Sequence, residues 1–182
     1  EYDNYLGYII NGRQGKLLLS PDRGVRGYEL PLEEGAEKQE VMLFKRQDSC
    51  HTLAFCGLET DGAVFDDMPA LPRRKIEVYG DSISCGELSE AVEYTGKEDP
   101  AHNGEYSNSY FSYAWMTARN LRAQLHNISQ GGVSLLDGAG WFHMPDTIGM
   151  ERIYDKIQYN PALGGPKPWE FYRYTPHVVI VA

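Results

Sequence analysis

The sequence predicts an all-β region over residues 1–70, followed by a three-layer α/β domain over residues 73–182. In the first region, short apolar segments recur about every ten residues with turn-forming residues between them, as in an antiparallel β-sandwich. In the second region, β-branched runs alternate with a helical pattern, which is typical of a parallel sheet covered by helices. A proline-containing linker at residues 66–72 separates the two regions.

The first hairpin is predicted around Asn11-Gly12, because this dipeptide is the strongest short turn signal between two strands. Apolar residues occupy positions 5–10 before it and 16–19 after it. Further strands of the sandwich are predicted at residues 28–32, 40–45, 51–55 and 63–65.

The α/β region is predicted to contain strands at residues 76–79, 124–129 and 177–182. Between the first two strands, apolar residues recur at helical spacing over residues 110–125, and Ser107 or Asn108 is available as the N-cap. A second helix is predicted at residues 149–159. The remaining segments are rich in glycine, proline or acidic residues and are predicted to be loops, at residues 87–105, 133–146 and 160–168.

Composition excludes several classes of function. The net charge of −9 argues against nucleic acid or an anionic membrane as a partner, because both require clustered lysine and arginine. No apolar run approaches the roughly 20 residues that a membrane-spanning helix needs. The three cysteines are too few for a disulfide framework, and Cys50, His51 and Cys56 match no closed zinc pattern. No phosphate-binding or dinucleotide-binding motif is present, and we predict neither a metal nor a cofactor.

The motif Gly80-Asp81-Ser82 ends the first buried strand of the α/β region. A tight turn at the carboxyl edge of a sheet presents the next side chain to a crevice, so the Ser82 hydroxyl is predicted to be accessible there. Acyl transfer needs such a serine, with backbone N–H groups nearby that bind the developing oxyanion. The alternative is an ordinary turn, since all three residue types favour turns. Asp81 is predicted to fix the turn by bonding backbone N–H groups, and the alternative is that it takes a proton.

The Gly131-Gly132 pair ends the next strand, and the long loop after it carries Trp141 and His143. Trp141 is either a platform on which a sugar ring stacks or a packed anchor of the loop. His143 is the histidine that follows the Gly-Gly turn at the edge where Ser82 is expected, and the alternative is a surface histidine. The other histidines are expected away from Ser82, with His51 in the sandwich, His102 in the acidic loop, His126 in a buried strand and His177 at the opposite edge of the sheet.

The order of these motifs resembles that of the SGNH (GDSL) hydrolases. The resemblance rests on Gly80-Asp81-Ser82-Ile83 after a strand, on residues 107–110 before a helix, and on residues 129–132 and 175–182. With a small β-sandwich before the α/β domain, the chain most resembles the carbohydrate esterase family 2 acetylesterases, which have a jelly-roll domain at this place. The resemblance implies that Ser82 is the nucleophile, and that its N–H and that of Gly131 or Gly132 contribute to the oxyanion hole.

The same resemblance implies two further residues, an oxyanion-hole asparagine just after strand 178–182 and a catalytic histidine near the carboxyl terminus. Neither has a counterpart in this sequence, so we expect the chain to be a fragment of a longer protein, truncated within the α/β domain.

The implied function is a serine esterase that removes acetyl groups from a polysaccharide of the acetylxylan or mannan type, or from its oligosaccharides, through an acyl-enzyme on Ser82. Trp141 and His143 are the candidate substrate contacts, the partner is an acetylated carbohydrate, and a bacterial secreted or periplasmic location follows from such a substrate. The alternatives are a GDSL lipase or esterase acting on other acyl esters, and a carbohydrate-binding protein of this fold that does not turn over an ester.

Overall fold

The computed structural model describes residues 3–22, 24–48, 51–64, 69–160 and 163–182. Within these residues the strands form an antiparallel sheet near the amino terminus, a parallel sheet in the second half of the chain, and a small two-stranded sheet.

The antiparallel sheet contains β1 (Asn4–Ile10), β2 (Arg13–Leu19) and β3 (Val41–Lys45) in the order β2-β1-β3. Ile10 pairs with Arg13 across a two-residue turn in which Asn11 has φ 49° and Gly12 has φ 83°. Positive φ at both turn residues matches the twist of a hairpin, which explains the Asn-Gly dipeptide. The predicted hairpin is confirmed.

The strands predicted at residues 28–32 and 51–55 are wrong, and residues 63 and 64 are also outside any strand; residue 65 lies outside the described residues. These segments expose their apolar side chains, as Phe55 and Val64 do at 65% and 68%, and Pro31 lacks the N–H that a ladder needs. An apolar segment becomes a strand only where a partner strand pairs with it. The described residues show a single three-stranded antiparallel sheet in this region, and the two-sheet jelly-roll stays a prediction.

The parallel sheet contains β4 (Arg74–Gly80), β5 (Ala123–Ser129) and β8 (Val178–Val181) in the order β5-β4-β8. Gly80 pairs with Ser129, and Tyr79 pairs with Val181. The segments that follow β4 and β5 therefore leave the sheet side by side at its carboxyl edge.

Each face of β4 and β5 is covered, as the α/β prediction requires, whereas the edge strand β8 exposes Val178, Val179 and Val181 by more than half. On one face, α2 (Tyr113–Asn120) packs its Ala114 against Ile76 and Val78 of β4. On the other face, Tyr79 and Ile128 pack with α3 (Met150–Ile153) and with apolar residues of the loop before it, which are Val133, Phe142 and Ile148. Alternate residues of β4 thus face two different apolar clusters.

The helix predicted over residues 110–125 is shorter and is preceded by a separate 3₁₀ turn, Ser109–Phe111. Asn108 caps only that turn, by accepting from Tyr110 N–H at 3.1 Å, so the prediction of Ser107 or Asn108 as N-cap of the helix itself is wrong. Ser112 is extended and caps α2, where its Oγ accepts from Trp115 N–H at 3.2 Å. Arg122 follows α2 with φ 48°, a conformation that ends a helix.

The helix predicted at residues 149–159 is wrong beyond its first turn, because α3 ends at Ile153. The chain then forms β6 (Lys156–Gln158), which pairs with β7 (Lys167–Pro168). A short apolar pattern does not by itself distinguish a helix from a strand. A one-turn helix that the pattern did not predict, α1 (Ser82–Cys85), follows β4 directly.

A buried polar contact joins the antiparallel sheet to the α/β part. The Arg46 side chain is 1% exposed and forms an ion pair with Glu90. The backbone carbonyl of Arg46 accepts from Ser109 N–H at 2.9 Å. Asn108 Nδ2 donates to Gln14 Oε1 at 2.7 Å and to Glu90 Oε1. We call this set of contacts the polar seam. It fixes the segment after β3 against the carboxyl-edge loops of the parallel sheet.

In the described part of the chain, no helix has the length and apolar character to cross a bilayer. The same residues contain no cluster of three or more histidine, cysteine or acidic side chains that could hold a metal ion.

Candidate active site

Ser82 is the first residue of α1, directly beyond the carboxyl end of β4. Asp81 is the N-cap, and its Oδ1 accepts from Ile83 N–H at 3.0 Å, so the predicted role of Asp81 in fixing the turn is confirmed. Gly80 is required by close packing, since a Cβ there would lie 2.0 Å from Ser84 Oγ. The strand therefore turns abruptly into α1 and leaves Ser82 at the edge of the sheet.

The one-turn helix is fixed to its neighbours on its buried side. Ser84 Oγ is 2.8 Å from the Tyr113 hydroxyl, and Asn127 Nδ2 donates to the Ser84 carbonyl at 2.9 Å. Ser82 itself is partly exposed. Among the described residues, neither its Oγ nor its N–H has a hydrogen-bond partner. The Ser82 hydroxyl and N–H therefore lie on a fixed turn with no competing hydrogen bond from the described residues.

The Gly131-Gly132 turn lies beside this serine because Gln130 N–H donates to the Gly80 carbonyl at 3.1 Å. Val133 N–H donates to the Gln130 carbonyl at 3.2 Å and closes a four-residue turn. Gly132 has φ 77°, which the third residue of a type II turn requires and which glycine adopts without strain.

The two glycines differ in the use of their N–H groups. Gly131 N–H donates to Asp48 Oδ2 at 2.9 Å, whereas Gly132 N–H has no acceptor within the part of the chain that the structure describes. Of the two donors that the sequence left open, Gly132 is the one whose N–H is available to a ligand.

Asp48 comes from the segment after β3 and contacts the turn through its Oδ2. Its Oδ2 also accepts from Gln130 Nε2 at 2.7 Å, and its Oδ1 lies 3.0 Å from His51 Nδ1. A Cβ at Gly131 would lie 2.8 Å from Asp48 Oδ2 and 3.2 Å from Glu87 Oε2. The close approach of these carboxylates is the physical reason for a glycine at position 131.

A second carboxylate–histidine pair lies at the same turn. His102 Nδ1 is 2.6 Å from Glu87 Oε1, and its Nε2 is 3.7 Å from Asp99 Oδ2. The Glu87 side chain is 31% exposed, compared with 14% for Asp48, so the Asp48 pair is the better shielded from solvent. Both pairs place an imidazole beside an acid that adjoins the turn.

Trp141 and His143 lie on the loop that returns to this turn. The Gly132 carbonyl accepts from Trp141 N–H at 2.7 Å and from Phe142 N–H at 2.9 Å. The Phe142 ring is buried in the core, whereas the Trp141 side chain is 77% exposed. Phe142 is thus the packed anchor of the loop. His143 is exposed with φ 62°, and its Nδ1 is 3.2 Å from the carbonyl of Asp146 in the same loop.

The expectations for the other histidines are met in part. Lys75 N–H donates to His177 Nδ1 at 3.1 Å, which places His177 at the opposite edge as predicted. His126 on β5 lies 2.9 Å from the Glu77 carboxylate. The expectation for His51 is wrong, because it adjoins Asp48 at the Gly-Gly turn. None of the five histidines is hydrogen-bonded to Ser82 among the described residues.

Sequence reasoning missed Asp48, Glu87, His51 and His102. The segment 46–48 carries one signal, which is three consecutive polar residues immediately after an apolar strand, of which Arg46 and Gln47 are buried. Polar side chains that are buried must be partnered, so such a run indicates an internal contact. The partner of Asp48 is Gly131, which lies 83 residues further along the chain. No local sequence pattern indicates that the two residues meet.

Cys85 lies under this site and is chemically quiet. Burial raises the pKa of the Cys85 thiol well above its ordinary value, and the nearby carboxylates of Asp48, Glu87 and Asp81 raise it further. The thiol therefore remains protonated at neutral pH and does not compete with Ser82 as a nucleophile.

A serine on the turn after a strand of a parallel sheet is the arrangement that the resemblance to the SGNH hydrolases implies. No family model matches the sequence. The cellulase/esterase CelE of Acetivibrio thermocellus is 34% identical over 151 residues, which are 82% of this chain and 17% of that protein. An acetylxylan esterase / glucomannan deacetylase of Cellvibrio japonicus is 31% identical over 147 residues, which are 80% of this chain and 38% of that protein.

A solved structure of a family two carbohydrate esterase from Clostridium thermocellum, in complex with cellohexaose, matches with a TM-score of 0.72 and 26% identity. The match covers 99% of this chain and 52% of that chain, so the present chain spans about half of the solved relative. The chain is a homologue of the family 2 carbohydrate esterases, and the resemblance predicted from its motifs is confirmed.

Proposed function

We propose that this protein is a serine esterase that removes O-acetyl groups from a polysaccharide of the acetylxylan or mannan type, or from its oligosaccharides. The observation that carries the proposal is that Ser82 and Gly132 follow adjacent strands and that both have N–H groups without an acceptor in the described chain. The names of the sequence relatives, an acetylxylan esterase and a cellulase/esterase, support the substrate class.

The reaction follows from these groups. Ser82 Oγ attacks the acetyl carbonyl, and the N–H groups of Ser82 and Gly132 donate to the oxygen as it becomes negative. The proton of the Ser82 hydroxyl passes to the sugar oxygen, which leaves as the alcohol, and the catalytic histidine that the resemblance implies would carry this proton. Water then hydrolyses the acetyl ester on Ser82 to release acetate. One oxyanion donor contributes on the order of 10²–10³-fold in kcat, so both N–H groups are needed for efficient turnover.

We propose that Trp141 is the substrate platform and that His143 contacts the sugar beside it. An indole that is 77% exposed and lies on the loop bonded to Gly132 is well placed to stack on the apolar face of a sugar ring. Removal of the ring should weaken substrate binding, whereas the chemistry at Ser82 does not require it.

We further propose that the antiparallel sheet is part of a jelly-roll-like domain over residues 1–70, with the hydrolase domain over residues 73–182. A polymeric substrate outside the cell also supports a secreted or periplasmic location.

A fluorophosphonate probe tests the nucleophile, because it labels only an activated serine. In the full-length protein we expect one adduct on Ser82, no adduct in Ser82→Ala, and unchanged labelling in the control Ser20→Ala, whose serine is exposed and follows β2 of the antiparallel sheet. Release of acetate from acetylated xylan, together with hydrolysis of p-nitrophenyl acetate and butyrate, tests the substrate class. Preference for butyrate would favour a general GDSL esterase.

Absence of both adduct and turnover would overturn the esterase. Oligosaccharide binding that persists in Ser82→Ala would then support a carbohydrate-binding protein, which the exposed Trp141 would suit.

A further inference from the structure

The Asp48 carboxylate fixes both peptide groups that flank Gly131. It accepts directly from Gly131 N–H at 2.9 Å, and it accepts from Gln130 Nε2 at 2.7 Å. The same Gln130 Nε2 donates to the Gly131 carbonyl at 3.0 Å. Asp48 therefore holds the peptide before Gly131 directly and the peptide after it through Gln130.

The bond from Gln130 Nε2 to the Gly131 carbonyl determines the direction of Gly132 N–H. The Gly131 carbonyl and the Gly132 N–H belong to one peptide group, which is planar and trans, so the two bonds point in opposite directions. A bond that fixes the carbonyl thereby fixes the N–H. Without it, two adjacent glycines have more backbone freedom than any other pair of residues.

The surroundings make these bonds hard to replace by water. Gln130 is 1% exposed and the Asp48 side chain is 14% exposed, and bonds to a carboxylate are stronger than those between neutral groups. The polar seam holds the backbone two residues before Asp48, since the Arg46 carbonyl accepts from Ser109 N–H.

We propose that Asp48 is a positioning residue of the oxyanion hole, which acts through Gln130 and Gly131 to aim Gly132 N–H at the reacting carbonyl oxygen. This inference rests on the proposed esterase function. It assigns to the amino-terminal part of the chain a direct role in the chemistry at Ser82.

The experiment compares Asp48→Ala, Asp48→Asn and Gln130→Met with wild type in the full-length protein. Steady-state hydrolysis of p-nitrophenyl acetate gives kcat and KM, and NMR amide exchange reports on Gly131 and Gly132. The matched control is Glu77→Gln. Glu77 is also a buried carboxylate paired with a histidine, since it lies 2.9 Å from His126, but it lies within β4 and does not contact the Gly131-Gly132 turn.

We expect kcat to fall roughly 100-fold in Asp48→Ala, as misplacement of a catalytic group by about 1 Å does, with KM nearly unchanged. Asp48→Asn keeps one amide oxygen as an acceptor and should lose about 10-fold, and Gln130→Met should resemble Asp48→Ala. Amide exchange at Gly131 should become faster in all three, because each variant removes or loosens the bond to Asp48, whereas Gly132 N–H has no acceptor in the described chain to lose. Glu77→Gln should lose stability and retain kcat.

The results separate the two proposals. An unchanged exchange rate in folded Asp48→Ala overturns the positioning role whatever the activity, and so does faster exchange with an unchanged kcat. If Asp48→Ala does not fold, the same criteria apply to Gln130→Met. A wild type with no turnover and no fluorophosphonate adduct overturns the esterase, and the catalytic role of Asp48 fails with it, while exchange still shows whether Asp48 holds the turn.

Discussion

Gly131 and Gly132 are identical residues with different requirements. At position 131 the constraint is space, since a Cβ would lie 2.8 Å from Asp48 Oδ2, whereas φ at position 132 is 77°. The structure thereby distinguishes a glycine that admits a neighbouring carboxylate from a glycine that adopts a left-handed conformation.

Gly131→Ala should lower kcat because its methyl group displaces the Asp48 carboxylate from the turn. The displaced carboxylate is the one that Asp48→Ala removes, so the double variant should be no slower than the slower single variant. Hydrolysis of p-nitrophenyl acetate measures this. Gly27→Ala is the control, since no atom lies within 4 Å of the added methyl group, and it should retain full activity. Additive losses in the double variant would contradict the shared mechanism.

Gly132→Ala should also lower activity, here through backbone strain. Alanine is strained at φ 77°, and its Cβ would lie 3.1 Å from Phe142 N. The control is Gly96→Ala, which has φ 73° with no atom within 4 Å of the added Cβ, so it carries the strain without the contact. Equal stability losses with a loss of kcat only in Gly132→Ala would assign the effect to the site. A fully active Gly132→Ala would contradict an oxyanion role.

Cys85 should resist alkylation that modifies Cys56. Cys85 is buried and its thiol pKa is raised, so little thiolate forms and reagent access is poor, whereas Cys56 is exposed. Iodoacetamide treatment of the native protein near pH 8, followed by peptide mass spectrometry, measures both rates. In denaturant all three cysteines should react alike. Rapid native modification of Cys85 would show that α1 opens.

At the scale of the element, local patterns predicted the parts of the fold that local interactions determine. The glycine that stops β4 and the Asn-Gly dipeptide each encode a turn in one or two residues, and both were predicted correctly. The apolar pattern over residues 110–125 carried no mark of the extended Ser112 that separates the 3₁₀ turn from α2.

The same distinction holds for the site. The turn after β4 predicted Ser82 as the nucleophile, and the family resemblance predicted Gly131 or Gly132 as an oxyanion donor; both roles stay predictions. The choice between them depends on Asp48, a contact that only the tertiary fold creates.

Ser112→Ala should destabilise the protein by about 1 kcal/mol, the usual contribution of an N-cap serine. Ser112 Oγ accepts from Trp115 N–H at 3.2 Å, and the residue is 2% exposed, so water does not readily replace the bond. Urea unfolding measures the change. The control is Ser20→Ala, whose Oγ accepts from Asp22 N–H at 3.3 Å in an exposed turn, so water can replace the bond and the expected change is within about 0.5 kcal/mol. Equal values for the two variants would exclude a capping role.

At the scale of the whole molecule, alkaline pH should destabilise the fold. Burial raises the pKa of Cys85 above 9.0 and those of Tyr5, Tyr79 and Tyr174 above 10.0. The folded state then retains protons that the unfolded state releases, so the free energy of unfolding decreases as pH rises through these values. The full stabilisation is present at pH values below the pKa values that these four groups have in the unfolded protein.

Urea unfolding between about pH 8 and pH 11 tests this prediction. The decline should be shallower in Tyr79→Phe, because that variant removes one of the raised groups while it keeps the buried ring. A free energy of unfolding that is constant across this range would contradict the prediction.

The polar seam has a consequence for dissection of the protein. The residues before the exposed stretch Pro69 to Leu71 supply Asp48 and Arg46, and the residues after it supply their partners Gly131 and Glu90. These contacts do not depend on an intact peptide bond within that stretch. A chain nicked there would behave as a split protein whose halves reassemble by complementation. A polypeptide that contains only the α/β half would keep Ser82 but would lack Asp48, which binds the Gly131-Gly132 turn.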